Sequence, residues 1–139
     1  MNRIEYSFGS SGEIHVGRVA LVIDADGTFE MSYEWGAHSQ KQRGTLVSGA
    51  FETLSSLLVA SEFPSCEPLQ PQPPGTIFTQ IGAFHDGRWD RIEIARPPAY
   101  RPFMNEMAVL ISQVRPDVLP PVSGDRRYVA SSKIVDESN

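Results

Sequence analysis

Val19 to Trp35 reads VALVIDADGTFEMSYEW, two runs of alternating apolar residues on either side of an acidic tetrapeptide. Successive strand side chains point to opposite faces, so a period of two on both sides of a breaker specifies a hairpin. Val19, Leu21 and Ile23 share one side of the run Val16–Asp24. Phe29, Met31, Tyr33 and Trp35 share one side of Gly27–Trp35, with Thr28, Glu30, Ser32 and Glu34 opposite. One apolar and one polar face is the pattern of an antiparallel sheet buried on a single side.

The tetrapeptide Asp24-Ala25-Asp26-Gly27 raises the alternative of a calcium loop. Such a loop needs glycine at its sixth position and a bidentate carboxylate at its twelfth. Counted from Asp24, those positions hold Phe29 and Trp35. Asp-Gly between alternating runs is instead a strong hairpin signal, because glycine takes positive φ and aspartate closes the turn. The reading is a turn.

The same pattern recurs. Arg3–Phe8 (RIEYSF) places Ile4, Tyr6 and Phe8 on one face, and GSSGE (Gly9–Glu13) follows as a loop. Thr76–Phe84 and Arg88–Ala95 flank a second Asp-Gly hairpin, His85-Asp86-Gly87. In the latter strand Trp89 shares a side with Arg91, Glu93 and Ala95, while Ile92 and Ile94 take the other. After the loop GAHSQKQ, the run RGTLV reads as one further short strand.

Two stretches switch to helical spacing. In Ser48–Ser61 the apolar residues Phe51, Leu54, Leu57 and Leu58 recur at three and four, with Ser48 placed as cap and Phe63-Pro64 as terminator. In Pro102–Arg115 the stripe is Phe103, Met107, Leu110, Ile111 and Val114, with Pro102 suited to the first turn. Between the halves, Pro64–Gly75 carries five prolines in twelve residues and reads as an extended connector. The expectation is an α+β two-layer sandwich in the order strands, helix, strands, helix, with both helices on one face of an antiparallel sheet. Residues 1–115 form that single domain, with the connector at 64–75. Residues 116–139 form a C-terminal tail in which RRYVA is a docking strand.

A chain of 139 residues buries enough surface to fold without a metal or disulfide staple. A net charge of −5 argues against a nucleic-acid footprint and suits a surface that docks on something basic. Cys66 is the sole cysteine, MNRIEYSF lacks the form of a secretory signal, and no apolar run approaches a membrane span of about 20 residues. The expectation is a cytoplasmic protein that binds neither membrane nor nucleic acid.

Chemistry is scarce along the chain. His15, His38 and His85 sit in or beside loops without zinc-ligand spacing, so no metal or other cofactor is expected. Cys66 lies between prolines, with no helix N-terminus or basic cluster beside it to activate a nucleophile. Gly9–Gly12 (GSSG) matches neither a nucleophile elbow nor a phosphate loop. Glu30 and Glu34 are four apart on one strand face, about 13 Å at ~3.3 Å per residue, beyond the reach of a glycosidase pair. Tyr6, Tyr33 and Trp35 read as core rather than as a base-stacking platform. An exposed Trp89 beside arginine and acids has the character of an interface anchor.

The order of RIEYS with its Gly/Ser loop, LVIDADGTFE, a helix ending ASEFP, a hairpin and RPPAYRPFMNEM resembles small bacterial proteins of the emfourin kind, protein inhibitors of metalloproteases. Similar arrangements recur among immunity proteins that neutralise toxins delivered between bacteria. The resemblance covers residues 3 to 114 in layout, and no inhibitory residue carries over. It implies a non-enzymatic inhibitor that occludes a toxin or other enzyme with a basic surface. The residues placed at that contact are Glu30, Glu34, Trp35, His85, Asp86, Arg88 and Trp89. The alternatives are a small enzyme with a dispersed site near His85, Asp86 and Arg88, or a scaffold subunit of a larger assembly.

Overall fold

A computed structural model describes residues 1–10, 17–68, 71, 77–95, 98–118 and 126–138. His15, most of the GSSGE loop, much of the proline connector and residues 119–125 lie outside the described residues. The elements run β1 (Arg3–Ser10), β2 (Arg18–Asp24), β3 (Thr28–Trp35), β4 (His38–Leu46), α1 (Ala50–Ala60), β5 (Ile77–His85), β6 (Arg88–Ile94), a 3₁₀ turn at Pro98–Tyr100, α2 (Arg101–Val114) and β7 (Val129–Ser138). Among the described residues, the strands form one antiparallel sheet of seven, ordered β6-β5-β1-β2-β3-β4-β7. The class is α+β. The strands-helix-strands-helix order therefore gains a seventh strand after the second helix.

Register lines up the alternating apolar positions on one side. Ala83, Ile4, Ile23 and Phe29 form one row across the sheet, and Ile92, Ile81, Tyr6, Leu21 and Met31 form the next. All are buried in one core with Leu54 and Leu58 of α1 and Phe103, Met107, Leu110 and Ile111 of α2. Tyr6 meets Phe103 edge-on at 5.9 Å. Burial pushes the Tyr6 phenol above its ordinary pKa, partly offset by a hydrogen bond with Thr79. The other side of the sheet carries the polar alternates and is called the outer face below.

Both Asp-Gly segments are turns. At the first, Gly27 has φ 91° and its N–H donates to Asp24 O at 2.9 Å, while Asp26 Oδ1 accepts from Thr28 N and Oγ1 at 2.9 and 2.7 Å. Those donors hold the Asp26 carboxyl below its ordinary pKa. At the second, Asp86 and Gly87 have φ 51° and 75°, the doubly positive pair that a tight two-residue hairpin needs.

Several expectations change. Gly9 and Ser10 continue β1 instead of opening a loop, pairing with Phe78 and Ile77. The polar HSQKQ is the first half of β4, joined to β3 by a two-residue turn in which Gly36 has φ 59°. Ser48 is not the cap of α1; Gly49 holds that place at φ 86° and no side chain caps the helix. Leu57 is only partly buried, although it lies in the expected stripe. The segment read as a loosely attached tail pairs along β4 from Leu46–Val129 to Ser39–Ser138. Gln113 of α2 clips it in place: Oε1 accepts from Tyr128 N and Val129 N at 2.8 and 3.1 Å, and Nε2 donates to Arg126 O at 2.8 Å. Tyr128 is buried and donates its hydroxyl to Glu106; burial first, then that carboxylate, pushes its pKa up to about 12. Among the described residues, no helix is long and apolar enough to cross a membrane.

Candidate partner-binding face

The outer face divides into two halves of different character. On the β6-β5-β1-β2 half, Trp89 is 43% exposed and its register neighbour Phe84 is 37% exposed. The indole can lie against β5 because Gly82 has no side chain: a Cβ there would fall 2.5 Å from Trp89 Cζ2. Gly82 in turn stands opposite Glu5 of β1. Two hollows open beside the indole. One, of about 370 Å³, is lined by Glu5, Ser7, Val22, Gly82, Trp89 and Arg91 among others. The second, of about 380 Å³, is lined by Asn2, Arg3, Glu5, Asp24, Phe84 and Trp89. Glu5 and Trp89 border both.

On the β3-β4-β7 half the polar side chains engage one another. Glu30 accepts from Arg43 Nε at 2.7 Å and lies 3.5 Å from Lys41 Nζ. The Arg43 hydrogen bond, more than the Lys41 charge, holds the Glu30 carboxyl below its ordinary range. Thr45 and Ser131 share a hydrogen bond of 2.9 Å between β4 and β7. Glu34 stays exposed, in register with Arg18 and Ser39. Of the two outward acids named from the sequence, one already has its counter-charge within the sheet.

Trp35 is not core. It is 52% exposed, because β3 ends there beyond the packed rows, and its ring stacks on His38 at 5.6 Å and 19°. Its strand alternation puts it on the side opposite Glu30 and Glu34. Tyr33 is half-buried on that same side, with the Arg115 guanidinium 5.1 Å from its ring centroid. Arg115 also pairs with Asp117 at 2.5 Å and donates to Gln40.

The second hairpin is likewise split by alternation. Trp89 faces outward, whereas His85 turns to the helix side and meets Phe63 edge-on at 5.9 Å. His85 Nε2 lies 2.7 Å from Asp90 Oδ2, and Arg88 Nε donates to the same oxygen at 2.8 Å. Asp86, at the tip, is 3.7 Å from His85 Nδ1 and almost wholly exposed. Both imidazole nitrogens thus face carboxylates. His85, Arg88 and Asp90 brace the hairpin, and Asp90 is the member that the sequence reading missed. Its signal was available: it is two residues from Arg88 and therefore on the same strand face.

Among the described residues, no three His, Cys, Asp or Glu gather as a metal site would require. Cys66 is exposed. Phe84, Glu5 and Gly82 were also absent from the expected contact residues. Alternation alone would have found Phe84, since it shares a side of β5 with Gln80 and Gly82, opposite Ile81 and Ala83. The chain matches no protein-family model and no curated protein.

Proposed function

We infer that this chain is a non-enzymatic protein-binding inhibitor of the immunity type, occluding a toxin or another enzyme with a basic surface. In this reading the fold is a two-layer sandwich whose helices back the sheet and whose outer face meets the partner. The supporting observation is the exposed pair Trp89 and Phe84 on the outer face of the sheet, with the indole laid over Gly82. Large aromatics held by rigid strands are the usual anchors of protein interfaces. The layout resemblance to emfourin-like and immunity proteins points the same way, as does a net charge of −5. The contact shifts relative to the sequence expectation. It centres on Trp89 with Phe84, takes Glu34 at its margin, and leaves His85 and Arg88 as support from behind.

The test is capture from native-host lysate on the immobilised chain, followed by binding kinetics with the purified partner. Trp89→Ala should weaken binding by about 30-fold or more, the scale of a hot-spot truncation of ~2 kcal/mol, mainly through faster dissociation. If no protein is captured and turnover of a small molecule disappears in His85→Ala, the enzyme alternative near His85, Asp86 and Arg88 replaces this reading.

A further inference from the structure

The hollow between Phe84 and Trp89 has an unusual charge inventory. Arg3 Nε donates to Asp24 Oδ1 at 2.8 Å, and its Nη2 reaches Oδ2 at 3.5 Å. Glu5 borders the same hollow, and its charge also acts on Arg3, so that one guanidinium stands among two carboxylates. The hollow is therefore walled by two exposed aromatic rings and carries a net negative charge, with two carboxylates to one guanidinium. On the far side of the indole, Arg91 is tied to Gln80, which also donates to Glu93 at 2.9 Å, so Arg91 does not answer Glu5.

Resting on the protein-binding reading above, we propose that the Phe84–Trp89–Glu5 hollow receives an arginine side chain of the partner protein. A guanidinium is flat, stacks on an indole face and forks two donors onto a carboxylate, which is the combination this hollow presents. Lysine offers a point charge without the plane. An aliphatic side chain would leave Glu5 desolvated and unpaired. The hollow of about 380 Å³ accommodates one side chain and not a folded element.

The test uses N-acetyl-arginine amide as probe, titrated into the full chain while the two indole N–H signals are followed by heteronuclear NMR. The neutral isostere N-acetyl-citrulline amide and N-acetyl-lysine amide are run beside it at matched ionic strength. The arginine probe should move the Trp89 signal saturably, with Trp35 as internal control and Trp89→Phe fixing the assignment. Glu5→Gln should weaken that response about fivefold, the upper range for one partly exposed ion pair. Phe84→Leu, which keeps an apolar side chain, should also weaken it. Equal responses to arginine and citrulline, an equal or stronger response to lysine, or a titration indifferent to Glu5→Gln would each overturn the proposal. No partner protein is needed for this measurement. Failure of the hollow and failure of the inhibitor reading are therefore seen in separate experiments.

Discussion

The two halves of the outer face are built from the same alternation and carry cross-strand polar pairs alike, but only one of them also exposes large aromatic rings. Across β3, β4 and β7 the outward residues are charged and hydroxylic, and they find partners in neighbouring strands: Glu30 with Arg43 and Lys41, Thr45 with Ser131. Across β6, β5, β1 and β2 the outward residues include Val22, Phe84 and Trp89 beside the pairs Arg3–Asp24 and Gln80–Glu93, and Glu5 adds a second carboxylate around Arg3. A surface of cross-strand ion pairs gains little from a further protein, because each contact requires an existing one to be broken or desolvated. Exposed aromatic area beside a net negative charge gains from being covered by a cationic partner.

The sharpest test of the difference is one substitution made at two glycines. Gly44 of β4 faces the core side, where an added Cβ would collide with the carbonyl oxygen of Ser131 in β7 and lie 2.7 Å from Phe29 Cζ. Neither neighbour can swing away, since one is ladder backbone and the other a buried ring. Gly44→Ala should therefore cost about 1–3 kcal/mol, the range for overpacking, and should loosen β7 in particular. Chemical denaturation measures the first effect and amide exchange of residues 129–138 the second. Near-wild-type stability would mean that β7 does not lie as closely on β4 as the register states.

That strand also marks the limit of what the chain discloses in advance. β1, β2, β3, β5 and β6 were legible because one side of each is apolar and joins the core. β4 was half-missed because its core-side residues Gln40 and Gln42 are polar; Gln40 accepts from Arg115, outside any hydrophobic pattern. β7 was missed beyond RRYVA because residues 130–137 are exposed on both faces, so no period of two develops. Its docking depends on Gln113 and on ladder bonds, which depend on backbone position and leave little trace in composition. The candidate contact was legible at Trp89 by alternation. Within the His85–Trp89 group the structure sets His85 and Trp89 on opposite faces of the sheet, because side chains alternate along a strand. Gly82 belongs to the same β5-β6 hairpin as Trp89, whereas Glu5 could be linked to Trp89 only once the β1-β5 register was known.

At Gly82 the second glycine substitution meets an exposed ring in place of backbone. Trp89 can rotate off β5, so Gly82→Ala should change stability by no more than ~0.5–1 kcal/mol. It should nonetheless displace the indole and weaken partner binding by about tenfold, while blue or red shifts in tryptophan emission report the movement. A stability loss as large as that of Gly44→Ala would show that Trp89 is part of the rigid fold, not a surface poised for a partner.

The smallest effect belongs to the ion-pair half. Glu30 is partly exposed and its pKa is lowered, chiefly by the Arg43 hydrogen bond and further by the Lys41 charge. A group whose folded pKa is depressed contributes stability above its unfolded value, near ~4.3 for glutamate, and loses it as pH falls through the folded value. Solvent screening limits the contribution to about 0.2–1 kcal/mol. Glu30→Gln should therefore lower the denaturation midpoint slightly near neutral pH, and the gap from wild type should close on acidification below the ordinary glutamate range. Added salt should shrink the same gap at neutral pH. Partner binding should change less than in Gly82→Ala, because Glu30 already has its cations. A Glu30→Gln variant that folds normally but binds as poorly as Trp89→Ala would move the contact onto β3 and β4, and the contrast between the two halves would have to be reversed.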